Sequence, residues 1–273
     1  MSVIETLKKT YIMKGVGVPS YYLGGDVNYL DQHWKEDSVG LALSAKSYIE
    51  HVIPKFEDLL GGPFSTYKSP MAEDCYPEID DSPLMDPEGA SKFRSVIGSL
   101  NWIITLGRFD VSYATNVLSR FSMAPREGHL TNAKRILGYL KSFAKGKLIF
   151  DTSFPDHSQY NIEDHANWDE MYPDAVEDLS PEAPKPKGKP VRLTVYVDAN
   201  HAHDLVTRRS VTGIVLLLNN TPIRWVCKRQ KTVETSTYGS ELVAARVATE
   251  LIMEMRYNPV SYTHLTLPTI LLV

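Results

Sequence analysis

Apolar residues recur at helical spacing over several stretches of the chain and at strand spacing over shorter ones. In AKSYIEHVIPKFEDLL, residues Tyr48, Ile49, Val52, Ile53, Phe56 and Leu59 share one face and predict an amphipathic helix. Pro54 falls inside it and predicts a kink or two shorter helices. The strongest helical pattern covers 90–142. There ASKFRSVIGSLNWIITLG aligns Phe93, Val96, Ile97, Leu100 and Ile104, and DVSYATNVLSRFSMA follows with Asp110 placed as an N-cap. HLTNAKRILGYLKSFA completes the group as a basic amphipathic helix, and the aromatic residues on these faces read as core. Strand signals appear in YYLGGDVNYL, GKLIFDTS and VRLTVYVDAN, then in the apolar runs SVTGIVLLLN and TPIRWVCKRQ. A last helix is predicted over 235–257, TSTYGSELVAARVATELIMEMRY.

The intervening segments are polar. SVIETLKKTY predicts a short helix and KGVGVPS a turn, while residues 61–89, rich in Pro, Asp and Gly, predict an extended loop. Residues 152–190 are acidic and Pro-rich, as in a linker or insertion. KGVGVP is not a phosphate loop, because it lacks the following Lys-Ser/Thr and a strand–helix setting.

Composition narrows the class only slightly. The chain has 273 residues, 43% hydrophobic and 23% charged, as in ordinary globular proteins with one large or two small domains. No apolar run approaches the ~20 residues of a membrane helix, and MSVIETLKKTY has no secretory pattern. Cys75 and Cys227 fit no metal-ligand spacing and predict free thiols.

The net charge of −4 gives no global footprint for nucleic acid, but the charge is segregated. Residues 151–182 hold acids and no Lys or Arg, whereas 183–231 are basic with only Asp198 and Asp204 as acids. Basic residues there are available to phosphates or to water, and so are Lys134, Arg135 and Lys141 of the basic helix.

The chemistry that stands out is a carboxylate pair. Asp198 ends the strand of VRLTVYVDAN, and Glu241 lies on the first turns of the last helix. In-line phosphodiester hydrolysis requires an activated water and a stabilised leaving oxyanion, which two Mg²⁺ ions about 4 Å apart supply. Hard cations take carboxylate oxygens, best held on rigid elements. A single such acid usually just faces solvent. His201 and His203 flank the strand end without a third nitrogen or sulfur ligand, and read as loop residues. Thr235, Ser236 and Thr237 read as helix caps.

YVDANHAHDLVTRRSVTGIVLLLNNTPIRWVCKRQKTVETSTYGSELVAAR resembles the ribonuclease H segment of copia-type LTR retrotransposon Pol polyproteins. The Asp-Ala, Thr-Arg-Arg-Ser-x-Thr-Gly, Ile-x-Trp, Lys-x-Gln and Ser-Thr-x-x-x-Glu elements fall in the family's order. Upstream, YIMKGVGVPSYYLGGDV, KFRSVIGSLNWIITLGRFDVSYATNVLSRF and AKRILGYLKSFAKGKLIFD resemble the end of the reverse transcriptase and its thumb/connection region.

The resemblance implies an α+β or α/β chain with five parts. Residues 1–60 would end the palm/thumb, 61–150 form thumb/connection helices, and 151–190 link them to a truncated ribonuclease H-like mixed sheet with a packed helix at 191–258. Residues 259–273 are expected to be an adaptor-derived tail, since VSYTHL matches the translation of a transposase-based sequencing adaptor.

It further implies Asp198 and Glu241 as catalytic, Mg²⁺-binding acids, two ions in the intact parent, and phosphate contacts from Arg208, Arg209, Lys228 and Arg229. The implied partners are an RNA–DNA hybrid and the rest of the polyprotein, in a cytoplasmic virus-like particle or the nucleus. The sequence departs from the family in two ways. It has no Tyr-Val/Ala-Asp-Asp polymerase motif, Asp80-Asp81 lacking a strand context, and no third nuclease acid after Tyr257. The expected fragment is therefore a poor nuclease, with a non-catalytic nucleic-acid-binding module or a nonfunctional remnant as the alternatives.

Overall fold

The computed structural model describes Leu7, Tyr11, residues 18–30, 40–156, Ser158, Pro173, Asp174, 191–263 and 269–272, with side chains up to 255. The expected N-terminal helix and turn, and most of the acidic linker, lie outside the described residues. Contacts divide the chain into two units, Met1–Phe150 with Asp204–Val206, and Asp151–His203 with Thr207–Val273. Among the described residues the architecture is mixed α+β, with five α-helices and two four-stranded sheets.

In the first unit, β1 (Tyr21–Tyr22), β2 (Gly25–Leu30), β3 (Gly40–Ser44) and β4 (Lys147–Phe150) form an antiparallel sheet in chain order. YYLGGDVNYL is therefore a hairpin rather than one strand, because Leu23 and Gly24 turn at positive φ. A Cβ on Gly24 would lie 3.0 Å from the Trp102 indole nitrogen, so only glycine fits at this backbone angle and approach.

Four helices lie between β3 and β4. They are α1 (Lys46–Leu59), α2 (Pro87–Thr105), α3 (Ser112–Ser119) and α4 (Glu127–Ser142). Their apolar stripes meet in one core that includes Ile49, Phe56, Phe93, Leu100, Ile136 and Leu140.

Helix α1 runs unbroken through Pro54. Pro54 and Glu50 both face solvent, so the Glu50 carbonyl that loses its helical donor lies on the wet side of the helix. The loop expected over 61–89 ends earlier: Asp86 caps α2, accepting from the Gly89 amide at 2.7 Å, with Pro87 at the first helical position. The α2 face is rotated slightly from the expected one, burying Ile103 and leaving Ile104 half-buried. Trp102 is 40% exposed and corrects the reading of every aromatic here as core.

Asp110 does not cap α3. It lies in the 3-10 turn Phe109–Val111 and pairs with the buried Arg108 guanidinium, at 2.8 Å, and the Tyr139 hydroxyl. Burial, then the Asp110 hydrogen bond, raises the Tyr139 phenol above its ordinary pKa.

The second unit is built on β5 (Arg192–Asn200), β6 (Val211–Leu218) and β7 (Thr221–Arg229), an antiparallel meander matching the predicted strands. A fourth strand, β8 (Thr269–Leu272), lies parallel to β5 on its other side. The β6–β7 turn is the two residues Asn219 and Asn220, with Asn219 at φ 53°. Helix α5 (Thr237–Thr263) lays Ala248 and Ile252 against Leu193, Val195, Ile214 and Leu216, with Ala244 also buried. It runs past the predicted end at Tyr257.

Candidate metal and nucleic-acid site

The second unit gathers the predicted residues at one end of its sheet. Ser236 starts α5 as a cap, its hydroxyl accepting from the Gly239 amide at 3.1 Å. That places Glu241 on the second helical turn, half-buried, where its Oε1 accepts from the Ala199 amide at 3.3 Å. This amide belongs to the peptide joining Asp198 to Ala199, so Glu241 meets the strand beside Asp198.

Asp198 is exposed. The strand's alternation sends Ala199 to the α5 face and Asp198 to the opposite one, and Glu241 therefore touches the backbone between them. Across from Asp198 stands Gly213, whose lack of a side chain leaves that row open beside the carboxylate.

The four basic residues lie at the same end. Lys228 pairs with Thr212, which pairs with Ala199, so Lys228 stands two strands, about 10 Å, from Ala199. Arg229 shares the adjacent row with Val211 and Asn200. Arg208 and Arg209 occupy the β5–β6 loop, Arg208 exposed at φ 55° and Arg209 half-buried. Cys227, one position from Lys228, is held protonated by burial, which pushes its thiol up to about 11.

The basic helix of the first unit is used otherwise. Lys134 donates to the Leu60 carbonyl at 3.1 Å, Arg135 stacks over the Tyr67 ring at 4.5 Å, and Lys141 pairs with Glu57 at 2.6 Å. The Lys141 bond, and then the Phe64 amide, lower the Glu57 carboxyl below its ordinary pKa.

Among the described residues no group of three or more His, Cys, Asp or Glu side chains is placed to hold a metal ion, and His201 and His203 join no such set. The donors present are hard oxygens, one of them anchored by a backbone amide. Hard oxygens are what Mg²⁺ takes, and it binds through as few as one carboxylate, keeping waters and substrate oxygens for the rest of its shell. With Asp198 and Glu241 on opposite sides of the strand end, each would offer an ion a single ligand.

Gln230, the last residue of the Lys-x-Gln element, is not marked by sequence pattern alone. It is 5% exposed and donates from Nε2 to the Thr212 hydroxyl at 3.1 Å and the Ser240 carbonyl at 2.8 Å. No charge or periodicity marked it, since its partners come together only through strand register.

Comparison with known proteins gives several relatives. The chain is 28% identical, over 91% of its length, to an uncharacterized mitochondrial protein of Arabidopsis thaliana, of which it covers 83%. It is 26% identical over 90% of its length to a putative transposon Ty5-1 protein of Saccharomyces cerevisiae, covering 66% of that protein. It is 27% identical over 87% of its length to the retrovirus-related Pol polyprotein from transposon RE1 of Arabidopsis thaliana, but spans only 13% of that polyprotein. No family model and no solved structure matches the chain. Among the described residues no helix is long and apolar enough to cross a membrane.

Proposed function

We propose that this chain, a fragment of a copia-type retrotransposon Pol polyprotein, carries the thumb/connection part of a reverse transcriptase in its first unit and part of a ribonuclease H domain in its second. Its ligand is an RNA–DNA hybrid, held through phosphates without reading of sequence. Asp198 and Glu241 hold Mg²⁺, and Arg208, Arg209, Lys228 and Arg229 neutralise phosphates nearby. The observation that carries this reading is the bond from the Asp198–Ala199 peptide to Glu241, which brings two acids 43 positions apart in sequence to one strand end.

Bound Mg²⁺ would polarise the scissile phosphate and lower the pKa of an attacking water. The chain's own part is to fix the ion's position and offset phosphate charge. Two carboxylates reaching one strand end from opposite sides fall short of the two-ion clamp, so hybrid binding is retained while cleavage is slow. The parent's setting is a virus-like particle in the cytoplasm, or the nucleus, beside the remainder of the polyprotein.

A labelled RNA–DNA hybrid tests both halves. Binding should weaken steeply with salt, and Mg²⁺ should produce little or no cleavage. Salt-independent binding would sink the phosphate reading. Rapid Mg²⁺-dependent cleavage lost on Asp198→Asn would refute the claim of impaired catalysis.

A further inference from the structure

We infer that Gln230 is the positioning residue that sets Glu241 against the Asp198 end of β5. Five links make a closed ring around it. Ala199 pairs with Thr212 across the β5–β6 ladder. The Thr212 hydroxyl accepts from Gln230 Nε2 at 3.1 Å, and the same nitrogen donates to the Ser240 carbonyl at 2.8 Å. Ser240 is covalently joined to Glu241, and Glu241 Oε1 returns to the Ala199 amide at 3.3 Å. Gln230 is itself fixed at the end of β7 by its own amide, which donates to the Ser210 carbonyl at 2.8 Å. The Ser210 hydroxyl in turn accepts from the Ala202 amide at 3.0 Å, just past the end of β5.

The chemistry of the ring requires an amide. The Ser240 carbonyl only accepts, so its partner must donate, and it has a second lone pair beyond any helical bond. A charged donor buried this deeply without a counter-charge would be costly, whereas the neutral amide bears only the smaller cost of its unpartnered Oε1. Gln230 therefore fixes where the first turns of α5 stand relative to β5. A carboxylate of the same shape would oppose the Ser240 carbonyl with lone pairs.

This inference rests on the proposed metal site, and Mn²⁺ binding to the full chain, followed by electron paramagnetic resonance, separates the two. The wild-type chain should bind Mn²⁺, and Asp198→Asn should abolish binding. Gln230→Leu and Gln230→Glu should each weaken it by roughly tenfold or more, the scale expected when support around a metal ligand is lost. Thr212→Val, which cuts one link and leaves Gln230 in place, should give a smaller loss.

Thr221→Val is the control. Its hydroxyl bonds the Asp151 carbonyl at 2.9 Å at the other end of the sheet, so the variant should lower the melting temperature but leave Mn²⁺ affinity unchanged. Wild-type affinity in a folded Gln230→Leu chain, or equal weakening in the Thr221→Val chain, would reduce Gln230 to ordinary structural support. Mn²⁺ binding that ignores Asp198 would overturn the proposed site itself, and this inference with it.

Discussion

His129 is 2% exposed, and each of its ring nitrogens has a partner. Nδ1 accepts from the Arg126 amide at 3.0 Å, so Nε2 carries the proton and donates to the Pro77 carbonyl at 2.8 Å. Its ring stacks on Phe121 at 4.2 Å between centroids. His129→Ala should therefore destabilise the first unit by about 3 kcal/mol in a denaturant titration, since it opens a cavity and strands an amide and a carbonyl.

The two cysteines should be slow to react. Burial raises both thiols, Cys227 to about 11, so little thiolate exists at pH 8. Alkylation should be much faster in denaturant than in the folded chain. Glu57 gives a pH dependence of known sign. Its folded pKa is lowered, so its stabilisation is present above the ordinary glutamate value near 4.5 and is lost as pH falls toward the folded value. Glu57→Gln should flatten the loss of stability on that acid side.

Single residues were the least legible scale. Asp110, Lys134, Arg135 and Lys141 have the right types for a cap or a phosphate surface. Their roles are instead set by Arg108, Leu60, Tyr67 and Glu57, partners fixed only by tertiary packing.

At the scale of elements, α1 offers a direct test. Pro54 deprives the Glu50 carbonyl of its donor on the solvent face of an otherwise regular helix. Pro54→Ala restores that donor and should raise stability by about 2 kcal/mol, read from a thermal melt. Gly138 should respond in the opposite sense, because a Cβ there would collide with the Ser65 carbonyl. Gly138→Ala should cost about 2 kcal/mol through overpacking.

Most elements were legible because each buries a stripe or face whose period appears in the chain. Helices α1, α2, α4 and α5 and strands β5, β6 and β7 all follow that logic. The exceptions have local causes. Leu23 and Gly24 turn a strand-like run into a hairpin, and a proline on the wet side of α1 fails to break it. The parallel pairing of β8 with β5 depends on a contact far along the chain, which no local pattern encodes.

For the whole molecule, the candidate site lies within the second unit. The helical unit contributes a packed body whose most conspicuous basic helix is occupied with internal contacts. The approach of Glu241 to the end of β5, at the Ala199 amide, follows from the order strand, hairpin, helix. The ring through Thr212, Gln230 and Ser240 does not, because it depends on the register of three strands and the seating of a helix.

The central claim is that a divalent ion is held where Glu241 meets the Asp198–Ala199 peptide. The most direct measurement is Mn²⁺-induced broadening of backbone amide signals in an NMR titration of the full chain. The account predicts early, selective loss of the Ala199 amide signal and its preservation in the Asp198→Asn chain. An Ala199 signal untouched by Mn²⁺, or broadened equally with and without the Asp198 carboxylate, would contradict it.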